Sequence, residues 1–145
     1  MAMDEKKRVL LYALTIPVRW GDMDALGHVN NAAYFSYMEQ VRVGWLASVG
    51  AEALAPSARE GSVIVNACCT FNKPVTYPAT LRVQMHGGVP GRTSFESYYT
   101  LQDAAADLVY ATGTARVVWV NYASGRAIPL PAFVRRYLPV EDAGG

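Results

Sequence analysis

Cysteine and histidine are scarce in this chain, with two of each among 145 residues. Cys68 and Cys69 are adjacent, and neighbours along a strand point to opposite faces, so they do not bridge each other and a reducing, cytoplasmic compartment is expected. Neither has the spacing of a metal site or a redox motif, so both read as packed core thiols. His28 and His86 with distant carboxylates form no zinc pattern, and Gly-x-Gly-x-x-Gly and P-loop patterns are missing, so no metal and no resident cofactor are expected. Charge of one sign is also lacking: 13 Lys and Arg against 12 Asp and Glu leave +1, too little to draw nucleic acid or an anionic membrane to the whole surface. No apolar run approaches the roughly 20 residues that cross a bilayer. The charged segment Met1 to Arg8 leads into no signal-peptide core, so export is not expected. Charged residues make up only 17%, a shortage that points to a surface partly covered by another copy of the chain.

What the chain does have is apolar character, 52% of residues, which excludes disorder, and a length that suits a single domain over 1–145 with its core between about 8 and 139. Arg8 to Trp20 reads as a strand, with Pro17 implying an edge, a bulge or an irregular end. Asn30 to Val49 reads as a helix about 30 Å long, with Asn at the start, Gly50 at the stop, and Tyr34, Met38, Val41 and Trp45 at helical spacing. Phe35, Tyr37 and Leu46 widen its apolar stripe, so the helix is expected to be surrounded on several sides. After a loop at Ala51 to Gly61 the period switches to two. Val63, Val65, Ala67, Cys69 and Phe71 share one face; Leu81, Val83 and Met85 repeat the pattern, then Phe95, Ser97, Tyr99 and Leu101, and a long last strand spans Leu108 to Asn121. A short helical tail at Ala132 to Leu138 follows Pro131, and the two chain ends read as frayed. Hairpin-length breaks between the strands imply an α+β fold, a five-stranded antiparallel sheet wrapped around one long central helix. The open edges of such a sheet offer a route to a dimer.

The densest polar cluster is the connection between first strand and helix, Arg19 to Asn31, with two carboxylates, one imidazole and two amides inside ten residues. Any one of them is explained as a cap or a turn residue: Asp22 as a loop former, Asp24 as an acceptor of loop N–H groups, Asn30 or Asn31 as helix cap. Capping needs one short polar side chain, and this loop supplies five beside a very hydrophobic helix, which marks it as the candidate site. The spacing Asp22-x-Asp24-x-x-Gly27 begins like a calcium loop but places Leu26 and Ala33 where a ligand oxygen and a Glu are needed.

The run Asp22-x-Asp24-Ala25-x-Gly27-His28-Val29-Asn30-Asn31-x-x-Tyr34-x-x-Tyr37-x-Glu39-x-x-Arg42 resembles the signature of hotdog-fold acyl-CoA thioesterases of the 4-hydroxybenzoyl-CoA thioesterase type. The resemblance continues through Phe71-x-Lys73-Pro74-Val75-x-Tyr77-Pro78, Gly91-Arg92-Thr93-Ser94-Phe95 and Tyr110-Ala111-x-Gly113, and so covers Arg19 to Leu138. It implies a hotdog fold, hydrolysis of an acyl-CoA thioester, and a homodimer or dimer of dimers with active sites at the dimer interface. It implies that Asp24 is the catalytic carboxylate, attacking the thioester directly or activating water. The unpaired N–H of Asn31 at the positive helix end is the leading oxyanion donor. The Asn31 side chain or His28 orients water or the carboxylate; some relatives carry His where Asn31 stands. A lone histidine at a helix start is also read as a hydrogen-bonded structural group. Gly27, Tyr34, Lys73 and Arg92 are the substrate-binding candidates, Arg92 standing where relatives place basic residues for the nucleotide, with Arg82 and Arg126 as further cations. Glu39 is a reserve base, although an ion pair with Arg42 explains it more simply. CoA is part of the substrate, not a cofactor. The rival readings are an acyl-ACP thioesterase and a non-catalytic acyl-CoA-binding hotdog protein. A hydratase is disfavoured because Met23 and Ala25 flank Asp24 in place of the Asp-x-Asn-Pro-x-His motif.

Overall fold

The computed structural model describes residues 7–50 and 54–141; the expected frayed ends at 1–6 and 142–145, and loop residues 51–53, lie outside the described residues. The elements are β1 (Arg8–Pro17), a 3-10 turn (Trp20–Asp22), α1 (Asn31–Val49), β2 (Glu60–Phe71), β3 (Thr80–Gly88), β4 (Ser94–Asp103), β5 (Val109–Asn121) and α2 (Ala132–Arg135). All pairings are antiparallel in the order β1-β3-β4-β5-β2, so β1 and β2 are the edges. This five-stranded antiparallel sheet with one long helix is the hotdog fold.

Several details depart from the expected boundaries, each for a local reason. β1 ends at Pro17 and not at Trp20: an edge strand tolerates the missing N–H, Val18 N–H still reaches the Ala79 carbonyl at 2.8 Å, and the chain then tightens into the Trp20–Asp22 turn. β2 does not keep one phase. A register shift between Ile64 and Asn66 leaves Val65 as an extra residue, so Ser62 and Ile64 oppose the inward Trp119 and Val117, whereas Val63 opposes Val118 on the outer face. Beyond the shift Ala67, Cys69 and Phe71 return to the inner face as expected, opposite Ala115, Gly113 and Ala111. In β3 and β4 every expected inward residue is buried. The tail helix stops at Arg135, short of Leu138.

Helix α1 starts where the Asn30 side chain accepts the Ala32 N–H at 2.9 Å. It stops at Gly50, whose φ of −168° is ordinary extended backbone; glycine is needed there because the Phe133 ring lies where a Cβ would go. The helix buries Tyr34, Tyr37, Met38, Val41, Trp45 and Leu46 and packs on β1 and β3. It is not surrounded on several sides within one chain, because one sheet covers only one side: Phe35 and Val43, on the flank toward β2, remain 37% and 43% exposed. Trp45 meets Phe95 edge to face at 5.8 Å and Trp119 meets Phe133 likewise, each pair adding about 0.5–1.5 kcal/mol beyond burial.

Two side-chain expectations are corrected. Cys69 is half-buried against the core, its thiol pushed up to about 11 by burial and by Cys68, but Cys68 is exposed on the uncovered outer face with its Sγ 3.0 Å from Thr114 Oγ1. Arg42 does not pair with Glu39. Its Nη1 donates to the Tyr99 hydroxyl at 3.0 Å, and Tyr99 continues to Ser97 Oγ at 2.8 Å and so to the Ala115 carbonyl, a chain that satisfies the buried Ser97.

At Gly113 a helix side chain lies directly on the β5 backbone, and a Cβ there would lie 2.5 Å from Met38 Sδ and 3.0 Å from the Cys68 carbonyl oxygen. Gly113→Ala therefore destabilises the protein by about 1–3 kcal/mol in urea denaturation, as overpacking of a tight core does. Gly21→Ala, where a Cβ meets nothing within 4 Å, has no comparable effect.

Candidate active site

The loop between β1 and α1 closes on itself around Asp24. Asp24 N–H donates to the His28 carbonyl at 2.9 Å, Gly27 N–H to the Asp24 carbonyl at 3.1 Å, and Leu26 N–H to Asp24 Oδ1 at 2.9 Å. Gly27 sustains this turn with φ of +82°, a left-handed conformation that glycine adopts without strain. Asp24 is thus oriented through one carboxylate oxygen, and its other oxygen takes no hydrogen bond among the described residues. Asp22 shapes the loop, as expected. Its Oδ2 accepts from Arg19 N–H at 3.0 Å and from the Tyr37 hydroxyl at 2.8 Å, and its Oδ1 lies 3.5 Å from the Arg19 guanidinium. Burial pushes the Asp22 carboxyl up, but those donors and the Arg19 charge outweigh it and hold the group below the usual carboxylate range. The same contact, after burial, pushes the Tyr37 hydroxyl far up.

At the start of α1 the Asn30 side chain takes the Ala32 N–H and the Asn30 carbonyl takes the Ala33 N–H at 2.9 Å. The Asn31 N–H is left without an acceptor among the described residues, at the positive end of the helix. Asp24, His28, Asn31, Tyr34 and Lys73, all chosen from the sequence, line one cavity of about 280 Å³ together with Leu26, Val29, Phe71, Asn72 and Pro74. Leu26 stands 82% exposed at its mouth. Tyr34 and Phe71 meet edge to face at 4.9 Å, and burial pushes the Tyr34 hydroxyl up against the opposing Val75 N–H. The His28 ring makes no hydrogen bond among the described residues, so nothing there supports its reading as a hydrogen-bonded structural group; it is the His28 backbone that braces Asp24. Asn72 was missed: one polar residue between Phe71 and Lys73 carries no signal in the sequence, and only the Asn72 and Lys73 N–H bonds to the Tyr110 carbonyl turn this segment over the cavity.

Two other candidates lie elsewhere. Glu39 and Arg42 line a separate cavity between α1 and β2, with Val43, Leu46, Leu54, Ser62, Ile64 and Tyr122. Arg92 sits in the β3–β4 hairpin, where its carbonyl accepts from Leu130 N–H and Arg135 Nη2. The start of β3 adjoins the Asp24 loop, so the length of β3, about 25–30 Å, separates that loop from Arg92 within one chain. Among the described residues no group of three or more His, Cys, Asp or Glu is placed to hold a metal ion, and no helix is long and apolar enough to cross a membrane.

A carboxylate and a helix-terminal amide without an acceptor among the described residues share one cavity of this hotdog fold. The chain belongs to the thioesterase-like superfamily, whose model matches residues 18–138, and it is a thioester hydrolase. Among solved structures it is 39% identical to the PA2801 protein of Pseudomonas aeruginosa, described as a candidate thioesterase, with 88% of this chain and 98% of that one covered and a TM-score of 0.83. It is 33% identical to XC229 of Xanthomonas campestris, described as a candidate acyl-CoA thioesterase, over 77% of this chain and 93% of that one, TM-score 0.69. It is 25% identical to the BH1999 gentisyl-coenzyme A thioesterase, over 85% and 98%, TM-score 0.75.

The depressed Asp22 carboxyl makes stability depend on pH with a definite sign. A carboxyl lowered by folding stabilises the native state above its unfolded value near 3.8, and the contribution is lost as pH falls through the lower folded value. Asp22→Asn therefore lowers the thermal midpoint most above about pH 5, and its gap from the parent closes toward pH 3. Thermal denaturation across that range checks this; a gap independent of pH is the contrary result.

Proposed function

We propose that this protein is an acyl-CoA thioesterase that hydrolyses its substrate to free acid and CoA, with Asp24 as general base or nucleophile. The observation that carries the reading is the meeting, in one cavity, of a carboxylate oxygen and a helix-terminal amide that are both free of hydrogen bonds among the described residues. With the thioester carbonyl between them, Asp24 takes a proton from a water whose oxygen adds to the carbonyl carbon, or it adds itself and forms a mixed anhydride that water then opens. In either route the carbonyl electrons pass to oxygen, where Asn31 N–H and the helix dipole offset the charge. Collapse breaks the C–S bond, and the thiolate of CoA leaves and takes up a proton. His28 and the Asn31 side chain flank the path of the water. Tyr34 and Phe71 offer an aromatic wall for an apolar or aromatic acyl group, and Gly27 lets the loop approach it. Lys73 is the cation nearest to hand for the phosphates of CoA. The CoA esters named for two of the relatives support CoA as carrier in preference to ACP. The two free thiols suit a cytoplasmic enzyme.

The working unit in this proposal is a homodimer built on the β2 edge. Phe35, Val43, Leu54, Val63, Ile64, Val65 and Phe71 are all exposed on β2, the adjoining flank of α1 and the loop between them, an apolar surface of the kind that a second copy covers. Two-fold antiparallel pairing of β2 with its counterpart sets the Phe71 end of one copy beside the Glu60 end of the other. At that second end Ser62 pairs with Trp119, whose N–H bonds the Thr93 carbonyl next to Arg92. Arg92 of a second copy is then the cation that completes the CoA site begun by Asp24, which accounts for its distance from Asp24 in one chain. A dimer of dimers is compatible with this pairing.

The deciding experiment is release of free thiol from a panel of short, long and aromatic acyl-CoAs. Asp24→Asn lowers turnover at least about a hundredfold with folding and dimerisation intact, and His28→Ala lowers it by less; undiminished turnover in Asp24→Asn removes the assignment. No hydrolysis of any CoA ester by the folded protein moves the reading to an acyl-ACP substrate or to a binding protein. Val65→Lys, which puts a charge on the β2 edge, converts the dimer to monomer in sedimentation and lowers turnover with it. A fully active monomer is the result against the shared site.

A further inference from the structure

We propose that the Tyr37 hydroxyl and the Asp22 carboxylate form a latch that sets the position of Asp24, so that Tyr37 is a positioning residue for hydrolysis. The inference rests on the reading of Asp24 given above. The bonds that shape the loop around Asp24 run within it, from Asp24 N–H to His28, from Gly27 N–H to Asp24 and from Leu26 N–H to Asp24 Oδ1. They fix the shape of the loop and leave its placement against the helix to other contacts. Backbone supplies part of that placement, through Asn30 N–H to the Asp22 carbonyl at 2.9 Å and Val29 N–H to the Val75 carbonyl at 2.8 Å. The Tyr37 to Asp22 bond, at 2.8 Å, is the only side-chain hydrogen bond among the described residues that joins the body of α1 to the preceding loop.

Tyr37 stands six residues beyond Asn31, about 9 Å along the axis. Its ring is 5% exposed and meets Tyr34 at 6.2 Å, so the hydroxyl projects from a fixed part of the core. The Asp22 side chain that receives it is itself only 11% exposed. Phenylalanine fills the same space in a core, so the hydroxyl does no packing that Phe lacks; what it adds is a directional link from the helix that carries Asn31 N–H to the loop that carries Asp24. The distance between attacking oxygen and oxyanion donor is the quantity such a link holds, and an error of about 1 Å there costs up to about a hundredfold in rate.

Measured on the best ester of the panel, Tyr37→Phe lowers kcat between about tenfold and a hundredfold and leaves KM within about twofold. Asp22→Asn, whose amide oxygen still accepts from Tyr37, keeps most of kcat, whereas Asp22→Ala falls as far as Tyr37→Phe, and the double variant Tyr37→Phe/Asp22→Ala falls no further than either. A purely structural hydroxyl would lower the thermal midpoint and leave kcat unchanged; that outcome overturns the latch, as do additive losses in the double variant. Asp24→Asn is measured alongside. Full turnover there sinks the reading of Asp24 and the latch with it, whereas lost turnover there beside undiminished Tyr37→Phe overturns the latch alone. Hydrogen exchange over residues 23–29 tests the link without substrate: faster exchange in Tyr37→Phe and not in Asp22→Asn is expected, and equal exchange in parent and Tyr37→Phe is the contrary result.

Discussion

The close seating of α1 in the curl of the sheet is the constraint on which the rest depends. At Gly113 the helix side chain of Met38 presses on β5 backbone so tightly that no side chain fits between them. Once that depth is set, the inward rows of β3, β4 and β5 can all reach the helix, and Trp45 and Trp119 fill the far end against Phe95 and Phe133. The N-terminus of α1 then emerges at the end of the sheet where β1 stops and β3 begins, tied there by Val18 to Ala79 and Val29 to Val75. A free amide at that point is a by-product of how the helix starts, and the loop that leads into it places a carboxylate beside it.

Two aspartates two residues apart stand in different surroundings, which suits them to different work. Asp22 is turned inward, gathers donors from Arg19 and Tyr37 and is held ionised by them, so its oxygens are spoken for. Asp24 is exposed, keeps one oxygen on a local backbone N–H, has the other free of hydrogen bonds among the described residues, and lines the cavity. A carboxylate already saturated with donors is a poor base or nucleophile, and one held by a single donor is oriented without being neutralised.

Much of this was legible in the sequence because it rests on local rules. Period-two runs located β3, β4 and β5 to within a residue or two, and Asn30 with Gly50 bracketed α1. The run from Asp22 to Asn31 marks the candidate site by concentration of polar side chains, and the structure brings Asp24, His28 and Asn31 of that run to one cavity. What was not legible depends on partners distant in the chain. The slip at Val65 belongs to the pairing of β2 with β5, and no residue type in β2 announces it. The need for glycine at position 50 lies in the Phe133 ring, and Arg42 turns to Tyr99, 57 residues away, in preference to its helical neighbour Glu39. Asn72 is isolated in sequence and gains a place in the cavity only through the Tyr110 carbonyl.

The exposure of Asp24 sets a last physical condition. In open water a helix dipole and one N–H contribute little to an oxyanion, since the dielectric screens them and water competes for the same lone pairs. The same groups are worth far more once the cavity is dry. Within one chain that cavity has α1, the Asp24 loop and the Phe71 to Pro74 segment as walls, and on its Phe71 side stands the edge strand β2, with Val63, Ile64, Val65 and Phe71 exposed along it. An edge strand that pairs with a copy of itself would close this side with protein and expel water from the same place. In the dimer proposed above, the apolar edge and the exposed carboxylate answer one requirement: the surface that would associate is also the one that would dry the site and make its electrostatics effective.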